Sequence, residues 1–331
     1  MPTLLMITLT KHLMEKRENT EATAQETVGL LRRINGGEFK SLRFLTDVDK
    51  ILAALSTTDS TRKKQLGKIV AALSLYESSK TYSATIAKYR ALFEGQTETV
   101  AKAVKERGKE KTDKEEEKWM DWPEVEARHK VLAESVAVVA GKKTLTPAEW
   151  RVVQAHAILS LYVLMPPRRN RDYHQMYVVR KPSDATDTSK NYFVLNEDKM
   201  YFNTYKTAKA LGPQVVEVPA ELSAILRAYI KRTALYAETK GVMPEYPLIC
   251  RQSGGHMKAV NSMTYLLADA LGKPAGSNML RHSYLTHKYG GVSEEMTEDA
   301  EAMAHSVGTQ ATYIRVPAVG GAGVGETMEL V

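Results

Sequence analysis

The chain has 331 residues, of which 43% are hydrophobic and 26% charged, as in an ordinary soluble protein with real cores. A net charge of +7 and a pI near 9.1 fit a nucleic-acid partner without requiring one. The single cysteine, Cys250, excludes an intrachain disulfide and a cysteine-based zinc site and fits a reducing compartment. No apolar run of about 18 residues is present, so no membrane span is expected, and residues 1–13 lack the basic flank and length of a signal peptide.

The length suggests two domains at about 150 residues each. Residues 1–105 hold 17 Lys and Arg against 11 Asp and Glu, so this first part carries most of the positive excess. It reads as helical. A helix over 21–34 is stopped by Asn35-Gly36-Gly37, and Thr46 with Asp49 predicts a capped helix over 47–55. Ser60 is expected to cap a helix over 61–76, where Leu66, Ile69, Val70 and Leu73 fall at helical spacing. Tyr82, Ile86, Tyr89 and Phe93 make another stripe. Both stripes predict a small helical core. Arg62, Lys63, Lys64 and Lys68 lie on the 61–76 helix; they form either a solvated face or a grip on DNA phosphates.

Residues 106–119 are almost wholly charged and predict a linker or the exposed part of a bridging helix, with the domain boundary at this point. Helices follow over 123–139 and 147–165; the second has Thr146 as N-cap and Pro147 at its first position, and ends before Pro166-Pro167. Strands are expected over 173–179, 192–195, 200–205 and 214–218, with turns at 196–199 and 211–213. Helices resume from 220 to near 313. Residues 316–331, with Gly320, Gly321, Gly323 and Gly325 before Met328, Leu330 and Val331, predict a flexible arm with an apolar tip. The expected architecture is mainly α: a helical domain over 1–105, a linker over 106–119, and an α-rich domain with a small antiparallel sheet over 120–315.

Three pieces carry chemistry. Pro166-Pro167-Arg168-Arg169-Asn170-Arg171-Asp172-Tyr173 stands between a helix and a strand. Phe202-Asn203-Thr204-Tyr205-Lys206-Thr207-Ala208-Lys209 runs from a strand into a turn. Asn278-Met279-Leu280-Arg281-His282 is followed by Ala304-His305-Ser306 and Tyr313. Arginine binds an oxyanion through a planar fork of donors, histidine moves protons near neutral pH, and tyrosine can act as a covalent nucleophile. Together these types point to attack on a phosphodiester.

The ordered set arginine, lysine, arginine, histidine, tyrosine resembles the tyrosine recombinases, or phage-integrase family, over residues 120–315. The Pro-Pro-Arg-Arg box and the lysine segment resemble the forms found in eukaryotic viruses, virophages and Crypton-type mobile elements. The resemblance implies a helical core-binding domain followed by a catalytic domain of the DNA breaking-rejoining fold. It gives Arg169, three residues before Asp172, the part of the first arginine, with Arg168 as the competing choice. Lys206 takes the part of the hairpin lysine in preference to Lys209, Arg281 that of the second arginine, His305 that of the late histidine, and Tyr313 that of the nucleophile. Asn278 departs from the pattern, because the family usually has a histidine there. Asparagine can hydrogen-bond a phosphate oxygen but cannot shuttle a proton, which shifts that work to His305 and Lys206. His282 reads as a packed or supporting residue rather than a proton donor.

On this resemblance the arginines would clamp the non-bridging oxygens, Lys206 would protonate the departing 5′ oxygen, and a 3′-phosphotyrosyl link would hold the DNA until a 5′-hydroxyl reseals it. No carboxylate or Cys/His cluster suggests a metal, and no cofactor is expected. The implied partner is duplex DNA, bound by a homotetramer on two sites, with the C-terminal arm docking on a neighbouring protomer. Integration or excision of a viral or mobile genome is the implied purpose, in the host nucleus or cytoplasm. Two alternatives stand beside it: a type IB topoisomerase or telomere resolvase with the same chemistry, and a DNA-binding protein that keeps the fold without catalysis.

Overall fold

The computed structural model describes residues 2–108, 110–174, 176–233, 246–255, 257, 259, 261–303 and 307. The chain divides into two compact units, residues 1–110 and 111–331. It is mainly helical with one small sheet.

The first unit is built from α1 (Leu4–Arg17), α2 (Glu21–Ile34), α3 (Val48–Ala54), α4 (Asp59–Leu73) and α5 (Ser83–Arg107). The sequence pattern did not mark α1 as a helix. Met6, Leu9 and Leu13 make its buried stripe, but Leu4, Ile7 and Met14 are exposed on other faces and blur the period. Helix α2 matches the expected bounds, capped by the Thr20 hydroxyl and stopped where Gly36 takes a φ of 77°. Two caps differ from expectation. Asp47, not Thr46, caps α3, because the Thr46 hydroxyl is spent on the Arg43 carbonyl. Helix α4 starts at Asp59 with Thr58 as N-cap, ahead of Ser60. Helix α5 runs well past the Tyr82–Phe93 stripe to Arg107. The core joins Leu9, Leu13, Leu31, Leu66, Ile69 and Tyr89, whose hydroxyl donates to the Leu45 carbonyl at 3.1 Å.

The second unit opens with α6 (Asp113–Lys118), so the expected linker holds the end of α5 and a short helix capped by Thr112 and Glu115. Helices α7 (Trp122–Val139) and α8 (Pro147–Val163) follow, and α8 is buried along nearly its whole length. Then come α9 (Asn170–His174), β1 (Met176–Val179), β2 (Asn191–Val194), β3 (Lys199–Phe202), α10 (Ala208–Leu211), β4 (Gln214–Glu217), α11 (Ala220–Lys231), β5 (Tyr246–Pro247), α12 (Ser262–Leu271) and α13 (Ser277–Ala302). A core of Ile158, Leu161, Tyr162, Leu222, Leu226, Leu267 and Leu280 fills the space between helices and sheet.

The sheet corrects the antiparallel expectation. Its order is β4-β3-β2-β1-β5, and β1 pairs with β2 in parallel, Met176 opposite Asn191 and Val179 opposite Val194. The other pairs are antiparallel. The reason lies in the connection. Residues 180–190 carry a 3-10 turn at Pro182–Asp184 and bring the chain back to the start of β1, where a tight hairpin would have reversed it at once. All four residues of β2 are buried, as suits a strand paired along both edges and covered on both faces. Residues 173–174, expected as strand, belong to α9, and the strand begins at Met176. The turn after β2 is as expected; Asp198 adopts a φ of 51° there, and its carboxylate receives the Ser223 hydroxyl and the Arg227 guanidinium. Among the described residues no helix is long and apolar enough to cross a membrane.

Two histidines are buried where α7 meets α8. His129 and His156 stack at 5.0 Å between ring centroids. The Ser160 hydroxyl donates to the His156 carbonyl, so it must accept from His129 Nε2, while His156 Nε2 has no hydrogen-bond partner among the described residues. Burial, reinforced by His129, pushes His156 down to about 4, and burial lowers His129 as well. The folded state thus keeps His156 neutral over a window in which the unfolded chain, near 6.5, takes up a proton. Its contribution is fully present above pH 6.5 and is lost as pH falls from 6.5 towards 4. The expected loss is about 2–3 kcal/mol. Denaturant midpoints measured across that window should slope accordingly in the wild type and be flatter in His156→Leu.

Candidate active site

The Pro-Pro-Arg-Arg box turns the chain from α8 into α9. Helix α8 ends at Val163, ahead of the prolines; Pro167 is buried, and Arg168 and Arg169 follow it, both half-buried, at the entry to α9. Arg168 is the arginine that Asp172 holds: its Nε donates to Asp172 Oδ2 at 3.1 Å, one helical turn away. Its Nη1 donates to Gln214 Oε1 on β4 at 3.0 Å, and its guanidinium lies 3.8 Å from the centroid of the Phe202 ring on β3. The side chain retains 19% exposure and Asp172 only 5%. Burial pushes the Asp172 carboxyl above its ordinary value, and Arg168 and then Arg169 pull it back. Asp172 Oδ1 is buried without a hydrogen-bond partner among the described residues. Arg169 is half-buried, close enough to act on Asp172 electrostatically, and its guanidinium makes no hydrogen bond to the described residues. Of the two arginines, Arg168 is therefore fixed and Arg169 is available.

Asn170 ties this box to two later helices. Its backbone N–H donates to Ser277 Oγ at the start of α13 (3.2 Å), and its Nδ2 donates to Thr264 Oγ1 on α12 (3.0 Å). Its Oδ1 accepts from the buried Tyr162 hydroxyl of α8 at 2.8 Å. One asparagine thus joins four helices. The bond to Ser277 brings the box to the end of α13 that carries Asn278 and Arg281. These two stand three residues apart and share a face; Asn278 is exposed and Arg281 half-buried. Leu280 and Tyr284 anchor the other face, Leu280 in the core and Tyr284 edge-on against Trp122 at 5.1 Å. The N-terminus of so long a helix favours an anion. His282 and His287 are exposed, so of the two parts expected for His282, packed or supporting, the packed one does not hold.

The lysine segment is tied to the same box. Strand β3 ends at Phe202, earlier than expected, and residues 203–207 form a turn before α10. Asn191, 4% exposed at the start of β2, donates Nδ2 to the Asp172 carbonyl and to the Thr204 carbonyl, each at 2.9 Å. Its Oδ1 accepts the Thr204 N–H at 2.9 Å. Asn203 Nδ2 donates to the Lys190 carbonyl at 2.8 Å, and the Tyr205 hydroxyl to the Gly212 carbonyl at 2.5 Å. Lys206 projects from this turn, exposed, and makes no hydrogen bond to the described residues.

Three candidate segments, at residues 168–172, 204–206 and 277–281, therefore converge through backbone and side-chain hydrogen bonds. Sequence reasoning missed the residues that join them: Asn191, Gln214 and Ser277. The one available signal was Asn191, a polar side chain opening an otherwise apolar run. His305 and Tyr313 lie outside the described residues, as does the 316–331 arm. In the first unit, Arg62, Lys63 and Lys64 stand on α4 with their charges partly or fully exposed, whereas Lys68 is engaged by Glu26 of α2 at 2.8 Å. Compared with models of known protein families and with curated proteins, the chain matches none.

Proposed function

We propose that this chain is a tyrosine recombinase that cleaves and rejoins duplex DNA through a 3′-phosphotyrosyl intermediate. The observation that carries the reading is the convergence around α9. A held arginine with its carboxylate, an available arginine, an exposed lysine and the N-terminal turns of α13 with Arg281 are tied together by Asn170 and Asn191. The motif order of the sequence, ending in His305 and Tyr313, supplies the rest.

The chemistry follows from the residue types. Tyr313 Oη forms a bond to phosphorus as the bond from phosphorus to the 5′ oxygen breaks. Arg169 and Arg281 carry the charge that develops on the non-bridging oxygens. Lys206 gives its proton to the departing oxygen, and His305 takes up the tyrosine proton. In the second half the directions reverse: a 5′-hydroxyl gives up its proton and bonds to phosphorus, the bond from phosphorus to Tyr313 Oη breaks, and the tyrosine takes its proton back. The bond energy is conserved, so rejoining needs no nucleotide cofactor. The fold is then the DNA breaking-rejoining fold. The working assembly is a homotetramer on two DNA sites, and the task is integration or excision of a mobile or viral genome.

The reading sets one requirement. Helix α13 has 26 residues. At 1.5 Å per residue, Ala302 lies roughly 30 Å along the axis from Arg281, and the three residues on to His305 reach only about 10 Å. The chain must double back to bring His305 to Arg281. Gly290 and Gly291, each about 1 kcal/mol less favourable than alanine in a helix, lie within the unbroken α13 of this structure and are where the proposed function requires that helix to open. Ser293, Glu294 and Glu295 then suit a new helix start.

The test is covalent capture. Nicked duplexes drawn from the DNA flanking the coding sequence are incubated with the protein in EDTA and resolved in SDS. A protein–DNA adduct is expected, and Arg281→Ala should bind the same duplexes while forming it about 10²–10³-fold more slowly. No adduct from the wild-type chain on any of them would overturn the reading. Adduct with plasmid relaxation but no strand exchange would move it to a type IB topoisomerase.

A further inference from the structure

We propose that Asn191 is a positioning residue that holds the Lys206 turn against the arginine box, so that the acid meets the leaving oxygen. This rests on the function proposed above. The amide of Asn191 uses both ends on the turn: Nδ2 donates to the Thr204 carbonyl and Oδ1 accepts the Thr204 N–H. The same Nδ2 reaches the Asp172 carbonyl on α9. A buried amide so used has little capacity left for anything else, and no hydrophobic residue can replace it without stranding the three backbone groups it satisfies.

The two sides of this clasp differ in their other supports. Helix α9 is held independently by Arg168 to Asp172, by Asn170 to Ser277 and Thr264, and by Tyr162. Besides Asn191, the side-chain bonds that tie the turn to other segments among the described residues are Asn203 to the Lys190 carbonyl and Tyr205 to the Gly212 carbonyl; its remaining backbone bonds run forward into α10. Lys206 has no hydrogen bond of its own to the described residues, so the turn backbone alone decides where its ammonium stands. Loss of Asn191 should therefore loosen the lysine while leaving the arginines in place. A displacement of about 1 Å at a reacting group can cost about 10²-fold in rate.

The signature is chemical. A 5′ oxygen leaves only with a proton, whereas a sulfur in the same bridging position leaves as a thiolate, its thiol having a pKa near 8.5. An acid out of place slows the first reaction and spares the second. The experiment uses the duplex on which the wild-type chain forms its adduct, prepared with oxygen or with sulfur at the 5′ bridging position. For Asn191→Ala, cleavage of the oxygen duplex should fall about 10- to 100-fold, and cleavage of the sulfur duplex by less than about 3-fold. Asn203→Ala, which removes one bond from the same turn at a half-buried position, should show the same pattern more weakly and covers the case in which Asn191→Ala does not fold. Equal losses on both duplexes would reduce Asn191 to a structural residue and overturn the inference while the recombinase reading stands. A wild-type chain that cleaves neither duplex would remove that reading and this inference with it.

Discussion

Tyr313→Phe should abolish the covalent adduct while leaving DNA binding within a factor of two or so of the wild type. The substitution removes one oxygen, and that oxygen is the atom that would bond to phosphorus. No neighbouring group could substitute for it without a new geometry. The free phenol has a pKa of about 10, so at neutral pH nearly all of it is protonated. On the proposed mechanism the arginines and His305 lower the cost of ionisation at the moment of attack, and their removal should slow the reaction rather than end it, by about 10²–10³ per donor. The contrast between abolition and slowing separates nucleophile from electrostatic support. It is read by quantifying SDS-stable adduct over long incubations. Adduct that persists in Tyr313→Phe would assign the attack to another residue.

Arg168→Ala should lose both stability and cleavage, whereas Arg169→Ala should lose cleavage alone. Arg168 faces a carboxylate that is 5% exposed, and Gln214 and Phe202 complete its surroundings. Removing it strands Asp172, one of whose oxygens already has no hydrogen-bond partner among the described residues. Stranding a buried charge costs about 3–5 kcal/mol, and the partial exposure of Arg168 brings the expectation to about 2–3 kcal/mol. The pH dependence gives the cause. Burial already raises Asp172 in the folded protein, and without Arg168 it rises further. A carboxyl raised on folding destabilises above its folded pKa and recovers as it is protonated. The stability difference between wild type and Arg168→Ala should therefore shrink as pH falls below neutrality, which denaturant unfolding at several pH values would show. Arg169 has no such bond to lose, so Arg169→Ala should unfold within about 0.5 kcal/mol of the wild type, the range of ordinary surface substitutions. A stable Arg168→Ala that fails to cleave would exchange the two roles.

These two arginines also show where the sequence stops being informative. The resemblance pairs Arg169 with Asp172, three residues on, with Arg168 as the competing choice, but positions three and four apart are both neighbours on a helix. Which arginine turns inward is decided by Gln214 and Phe202, from strands more than thirty residues away. Helices α2, α7 and α8 were legible because local chemistry writes their ends: Thr146 and Pro147 at one start, Gly36 with its positive φ at one stop. The parallel pairing of β1 with β2 was not, since two short apolar strands look the same whichever way they run. Asn191 was hidden for a similar reason: its burial and its three backbone partners exist only once β2, α9 and the turn have met. The three chemical segments could be named from residue types and order, and the asparagines that join them could not.

Strand β2 has a further consequence, for thermal behaviour. Local opening in a folded protein draws first on elements with few buried contacts. The Lys206 turn hangs instead from the first residue of a strand that is buried throughout and paired on both sides. Asn191 itself is therefore anchored as firmly as β2. On the proposed function, the lysine turn keeps this anchor for as long as β2 stays in the sheet. The chemical step should quicken with temperature up to the melting transition and stop there, with no intermediate range in which the protein is folded but chemically slack.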